Sequence, residues 1–308
     1  MRGVSINGFQ ETRKSRSSVQ SVKALIGINQ RNNRMKNQIP TFVKWAGGKK
    51  QLIEQFKPFF PEKIERYLEP FVGGGAVLFY VLKNYKPKKV FIFDINEELI
   101  NTYEVIKNDV ENLIIELKKL KQLHNKEHYY KIRAEDPKLL SSLTRASRFI
   151  YLNKTCFNGL YRVNSKGGFN VPMGSYKNPS ILNEDDLKEI SKLLKKVKII
   201  KGDFSECLKY VKKEDFIYFD PPYYPLKKGQ SFTTYTKGNF LDKEQKQLKE
   251  VFSKLDKKGC KVMLSNSDTK FIKNLYKDYK ISFVQATRMI NCDGKGRGKI
   301  NEIVVTNY

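Results

Sequence analysis

Short, unbroken apolar runs punctuate the chain from Thr41 onward: Arg66 to Phe71, Lys89 to Phe93, Val197 to Lys201, Phe216 to Phe219 and Lys261 to Leu264. Runs of this length without polar alternation predict strands buried on both faces, as in a parallel sheet. Between them lie stretches with helical spacing, Leu52 to Phe56, Ala76 to Leu82 and Lys243 to Leu255, so the order of elements predicts an α/β doubly wound domain. The closing segments, Ile281 to Ala286 and Glu302 to Thr306, alternate and are joined by a Gly-rich stretch, which predicts an antiparallel hairpin at the far edge of the sheet. Residues 96–182 break the alternation of strand and helix: several helical stretches lead into a polar, aromatic, Gly-rich segment from Lys154 to Tyr176. They predict a smaller, mainly helical domain inserted into the first, which then comprises 39–95 and 183–308. Residues 1–38 lack sustained periodicity and carry eight basic residues against one acid, Glu11, the composition of a disordered basic extension.

Composition changes this picture in two ways. At 308 residues and 40% apolar, the chain can build one large core and an accessory domain. A formal charge of +27 far exceeds what solubility requires and points to a polyanion, with nucleic acid as the leading partner. Because 47 of the 59 basic residues are lysine, coding bias is the competing explanation. No apolar stretch reaches the roughly 20 residues needed to cross a bilayer, so a cytoplasmic protein away from the membrane is expected; a monomer associated with nucleic acid is a separate expectation. The four cysteines, Cys156, Cys207, Cys260 and Cys292, form no C-x-x-C pair and read as reduced structural thiols. His124 and His128 stand four apart without a third ligand, so they read as a solvated helix face and no metal site is expected.

The chemistry concentrates at strand ends. Asp220-Pro221-Pro222-Tyr223 follows the run Phe216 to Phe219, which puts a carboxylate, two turn-forming prolines and an aromatic ring where open α/β sheets bind ligands. That set can cradle a flat, amide-like nitrogen and suggests methyl transfer to an exocyclic amine. Such a nitrogen is a poor nucleophile because its lone pair is delocalised. The Asp220 carboxylate and the Pro221 carbonyl could each accept one amine hydrogen and localise that pair. Holding both reactants in contact removes about 7–11 kcal/mol of barrier, so neither a metal nor a covalent intermediate is needed. Phe71, Gly73 and Gly75 belong to the turn Glu69 to Gly75, where backbone can approach a nucleoside cofactor. Leu78 stands where a dinucleotide-binding G-x-G-x-x-G would need glycine, and Lys50 follows Gly47-Gly48-Lys49 where a P-loop needs Ser or Thr. Asp94 comes 19 residues after Gly75, the spacing of an acid that accepts from ribose hydroxyls, with a helix cap as the alternative. Asp203 and Phe204 end a further strand and could hold an adenine ring, or could equally be a cap and a core aromatic.

Taken in order, Thr41-Phe42-Val43-Lys44-Trp45-Ala46-Gly47-Gly48-Lys49, Glu69 to Gly75, Asn158-Gly159-Leu160-Tyr161-Arg162, Phe169-Asn170-Val171-Pro172, Asp220 to Tyr223, Phe232-Thr233-Thr234-Tyr235 and Ser265-Asn266-Ser267-Asp268-Thr269 resemble the Dam-type DNA adenine methyltransferases over nearly all of Pro40 to Tyr308. The resemblance implies a seven-stranded Rossmann-like methyltransferase sheet with an inserted DNA-recognition domain bearing a β-hairpin. It implies S-adenosylmethionine as cofactor, held by Trp45, Lys49, Asp94 and Asp220, and double-stranded DNA as substrate. Within the insert, Phe157 and Asn158 match positions around the extruded adenine, and Leu160, Arg162, Pro172 and Tyr176 match positions that read flanking bases. An arginine reading guanine through O6 and N7 is the commonest direct contact, and Arg162 is the residue placed for it. The matched branch methylates GATC, so that tetranucleotide is the implied target. A base inside a duplex must be flipped at a cost of a few kcal/mol, and Tyr223 is placed to stack on it. Two other readings remain at this point: a methyltransferase acting on a protein glutamine, and a DNA-binding protein without catalysis. Cys156 and Tyr161 stand where family members vary.

Overall fold

A computed structural model describes residues 38–45, 47–164, 167–226, 240–287 and 299–308. All but the last residue of the 1–38 basic extension, Ala46, the Phe232-Thr233-Thr234-Tyr235 motif, Cys292 and the Gly-rich stretch between the last two strands lie outside the described residues. From Pro40 the described residues belong to one compact unit, Pro40–Tyr308.

In this unit the described strands are β1 (Arg66–Glu69), β2 (Lys89–Asp94), β3 (Val197–Lys201), β4 (Phe216–Phe219), β5 (Lys261–Ser267), β6 (Lys280–Thr287) and β7 (Lys299–Thr306). They form one sheet in the order β3-β2-β1-β4-β5-β7-β6. Pairs from β3 to β5 are parallel, while β7 runs antiparallel to both β5 and β6. The continuous apolar runs meet the expectation of burial on both faces: all four residues of β4 are buried. Leu68, Ile217, Phe219, Val262 and Leu264 share one core with Leu248, Phe252 and Leu255 of the covering helix. Strand order reverses between β1 and β4, the switch point at whose carboxyl ends open α/β sheets bind ligands.

Two strand ends differ from expectation. The first strand stops at Glu69, not Phe71, because Pro70 cannot donate to the ladder and the chain turns there. The fifth continues past Leu264 through Ser265, Asn266 and Ser267, all buried, because these polar residues pair with Val304, Ile303 and Glu302 of β7.

The helices are α1 (Ile53–Phe56), α2 (Ala76–Asn84), α3 (Glu97–Asn108), α4 (Val110–Gln122), α5 (Lys126–Ala134), α6 (Ser142–Thr155), α7 (Glu184–Leu194), α8 (Asp242–Lys257) and α9 (Lys270–Leu275). The expected helix over Leu52 to Phe56 is a series of short turns, 3-10 at Lys49–Leu52, α at α1 and 3-10 again at Lys57–Phe59, where Pro58 prevents continuation. Helix α3 packs against β2 and β3 and also against α6, so the helical block of 96–182 is built onto the sheet. His124 and His128 do not share a helix: Asn125 caps α5 between them by accepting from His128 N. Neither forms part of a solvated face, because both rings meet Tyr151 edge-on and His124 Nδ1 lies 2.9 Å from its hydroxyl. Cys156, Cys207 and Cys260 are free, buried thiols.

Candidate active site

Asp220 leaves β4 at the switch point, where Lys49, from the turn before α1, reaches its Oδ1 at 2.8 Å. Ser265 Oγ on the neighbouring β5 donates to the same oxygen at 3.1 Å. Since the Ser265 proton goes to Asp220, the Tyr218 hydroxyl, 2.8 Å from Ser265 Oγ, must donate to it. Lys49 Nζ also donates to Gly47 O at 2.7 Å and lies 4.5 Å from the centre of the Tyr223 ring. Burial raises the Asp220 carboxyl above its usual range, against the opposing charge and hydrogen bond of Lys49 and the hydrogen bond of Ser265. Burial, with the nearby Asp220 and Glu302 carboxylates, holds the Tyr223 phenol well above its ordinary range, so it remains a donor.

On the other side of the switch point, β1 leads into the glycine turn. Gly73 has φ +48°, and a Cβ there would lie 2.6 Å from Trp45 Nε1, so only glycine admits the tryptophan over this backbone. Gly75 has φ +73°, and its Cβ would lie 2.5 Å from the Tyr103 hydroxyl, which itself donates to Gly73 O at 2.9 Å. Asp94 ends β2 and accepts from Gly73 N at 3.2 Å and from Asn96 N at 2.9 Å. Asn96, not Asp94, caps α3, accepting from Leu99 N at 3.2 Å. Asp94 is thus tied to the glycine turn. Burial raises its carboxyl to about 6 against the backbone hydrogen bonds it accepts.

Phe71 stacks on Phe204 with centroids 5.4 Å apart, and Phe240 closes edge-on against both. Asp203 is exposed and caps the short helical turn Phe204–Lys209 by accepting from Ser205 N at 2.9 Å. Ile95, next to Asp94, is 52% exposed, an apolar side chain open at the sheet's carboxyl edge.

Residues 155–164 and 167–174 form the two arms of a loose hairpin, with isolated antiparallel bridges at Cys156–Met173 and Val163–Phe169. Phe157, Asn158, Arg162 and Pro172 are exposed on it, whereas Leu160 and Tyr176 are half-buried. Arg162 Nε donates to Asn170 Oδ1 at 2.8 Å, and Lys44 Nζ lies 3.8 Å over the Tyr176 ring. Asn153 of α6 ties the hairpin to the segment before the glycine turn: its amide donates to Lys44 O and Gly159 O, and its carbonyl accepts from Lys44 N. Tyr161 stacks on Trp45 with centroids 6.3 Å apart. The exposed hairpin and the glycine turn therefore share one aromatic contact.

Several further side chains hold the tetrapeptide and the residue after it; of these, Gln245 and Glu302 escape the sequence reading. Gln245 of α8 is fully buried and donates to Pro222 O at 3.1 Å, while its own carbonyl accepts from Asn266 Nδ2 at 3.1 Å. Asn266 Oδ1 accepts from Tyr224 N at 3.1 Å, and Ser267 Oγ donates to Tyr224 O at 2.7 Å. The Tyr223 hydroxyl donates to Glu302 Oε2 at 2.6 Å. The Ser265-Asn266-Ser267-Asp268-Thr269 motif marked Asn266 and Ser267 in the sequence without assigning them this role. Gln245 and Glu302 carry no comparable signal.

A parallel sheet with its switch between β1 and β4, an antiparallel seventh strand between the fifth and sixth, and acids closing β2 and β4 define a Rossmann-like methyltransferase. Residues 45–290 match the model of the D12 class N6 adenine-specific DNA methyltransferases, and the chain belongs to that family. It is 50% identical over 288 residues to the type II methyltransferase M.MjaIII of Methanocaldococcus jannaschii, covering 88% of this chain and 100% of that protein. It is 44% identical over 273 residues to the type II methyltransferase M1.LlaDCHI of Lactococcus lactis subsp. cremoris, covering 87% and 95%. To the DNA adenine methylase of Escherichia coli K12 it is 32% identical over 265 residues, covering 85% and 93%. Family and fold imply DNA as the substrate and S-adenosylmethionine as the methyl donor. No helix among the described residues is long and apolar enough to cross a membrane.

Proposed function

We propose that the chain is a site-specific methyltransferase that flips an adenine out of duplex DNA, within GATC, and methylates its N6. The observation that carries this reading is the placement of Asp220 at the switch point, held through Oδ1 by both Lys49 and Ser265. With Oδ1 so engaged, Oδ2 is the oxygen assigned to one N6 hydrogen. Pro222 O accepts from Gln245, so Pro221 O takes the second N6 hydrogen. Accepting both hydrogens draws the amine toward tetrahedral geometry and frees its lone pair for alkylation. Tyr223 stacks on the extruded base, and the unstacking cost of a few kcal/mol is met in part there.

The cofactor cradle fits a nucleoside: the turn at Gly73 and Gly75 excludes any Cβ, and Asp94 stands beside it as an acceptor for ribose hydroxyls. Trp45 and Lys49 close its near side, while Phe71, Phe204 and Ile95 offer apolar surface to a purine. Asp203, which caps its own turn, borders this wall. When bound, S-adenosylmethionine supplies a methyl carbon already activated by a positive sulfur.

Residues 96–182 serve as the inserted DNA-recognition domain of a catalytic domain made of 39–95 and 183–308. The exposed Phe157 and Asn158 lie against the gap left by the flipped base, and Leu160, Arg162, Pro172 and Tyr176 read its neighbours. The family match of the insert and the charge of +27 favour this over a protein substrate. The likeness to type II methyltransferases supports a modification role in a restriction–modification pair.

Labelled methyl is expected at adenine N6 of duplex DNA, and Asp220→Ala is expected to lower kcat by about a hundredfold or more while DNA binding remains measurable. Digestion of the product by nucleases blocked by, or dependent on, methylated GATC tests the target. Methyl found only on protein, or full activity in Asp220→Ala, would refute the reading.

A further inference from the structure

We propose that Glu302 is a positioning residue for Tyr223, fixing the ring that stacks on the flipped base. The inference rests on the proposed stacking role of Tyr223 and extends it to a carboxylate on a distant strand. Tyr223 lies on the loop leaving β4, and a tyrosine on such a loop keeps rotational freedom about its side-chain bonds unless its far end is held. The hydroxyl is that far end, and it donates to Glu302 Oε2 at 2.6 Å, the short distance of a charge-assisted bond.

Glu302 sits on β7, which is paired on both sides, so the acceptor is carried by a rigid element. In the β5–β7 register it stands opposite Ser267, whose hydroxyl holds Tyr224 O at 2.7 Å. One cross-strand pair thus grips the last residue of the tetrapeptide, Tyr223, through its side chain and the next residue, Tyr224, through its backbone. The Lys49 ammonium covers one face of the Tyr223 ring at 4.5 Å. With one face and the hydroxyl both held, the remaining face is presented to the purine in a fixed plane.

The test uses the full chain with a GATC duplex, and with the same duplex carrying 2-aminopurine at the target adenine. Tyr223→Phe and Glu302→Ala each remove the Tyr223–Glu302 bond and are expected to lower kcat about ten- to hundredfold, with KM for DNA changed less than about threefold. The double variant is expected to be no slower than the slower single, because both remove the same interaction. Glu302→Gln, which keeps an acceptor, is expected to recover most of the rate. The 2-aminopurine fluorescence of the bound complex is expected to change alike in Tyr223→Phe and Glu302→Ala. Wild-type kcat in Glu302→Ala, or losses that multiply in the double variant, would overturn the proposal. If Glu302→Ala fails to fold, Tyr223→Phe decides alone, and wild-type kcat and fluorescence there would overturn it. Full activity in Asp220→Ala or unaltered fluorescence in Tyr223→Ala would instead sink the underlying reading of the site.

Discussion

Lys49 Nζ stands 2.8 Å from Asp220 Oδ1, bringing an ammonium from the turn before α1 onto the carboxylate that closes β4. Lys49 is only 5% exposed and Asp220 20%, so neither charge is well solvated and each depends on the other.

That dependence predicts a pH effect. Asp220 must be ionised to accept an amine hydrogen; burial raises its carboxyl, and Lys49 opposes the rise. Lys49→Ala removes the opposing charge, so the acidic limb of the kcat–pH profile should move to higher pH, and Lys49→Arg should move it back. A limb that stays in place in Lys49→Ala would show that the lysine does not set the ionisation of Asp220.

Asp94 predicts a second pH dependence, on binding. Its carboxyl is raised by burial from 3.8 to about 6, so the folded protein favours the protonated form. The stability from this group is fully present below pH 3.8 and is lost as pH rises through about 6. Acceptance from ribose hydroxyls by the ionised form runs the opposite way. Titration calorimetry should find affinity for S-adenosylmethionine rising with pH through about 6, and the rise should be absent in Asp94→Asn.

Removing the buried amide pair should loosen the tetrapeptide. Gln245→Ala strands Pro222 O and Asn266 Nδ2 in the interior, at a cost of about 1–3 kcal/mol of stability. Urea unfolding should report that loss, and kinetics should show a lower kcat with donor affinity little changed. An unaltered kcat in a folded Gln245→Ala would mean that the carbonyl geometry needs no such support.

Arg162 uses Nε to hold Asn170, which leaves its outer nitrogens oriented by that bond. Arg162→Ala should relax preference at one base pair of the target by about 1–3 kcal/mol. Methylation rates on duplexes substituted one pair at a time measure this. A uniform loss across all sequences would assign Arg162 to the phosphate backbone instead.

Much of the fold was legible because parallel strands are short and continuously apolar, and the acids that end them stand out against that background. Asp94 and Asp220 could be placed at strand ends in this way, and the turn after β1 was marked by its run of three glycines, of which Gly73 has a positive φ. The helical block of 96–182 was visible as a break in alternation, but not the packing of α3 on both the sheet and α6, which depends on how its faces are partnered. The extent of β5 was hidden because Ser265, Asn266 and Ser267 look like loop residues until β7 pairs with them.

Local pattern by itself determined the class of sheet, the order of the motifs and the residue types at the carboxyl edge, since burial and turn chemistry act over a few neighbouring positions. Tertiary structure alone decided that Lys49 and Ser265 meet on one oxygen of Asp220, that Asn96 caps α3, and that Glu302 holds Tyr223. These contacts join side chains from separate elements, and their geometry is set only when the strands take their order in the sheet.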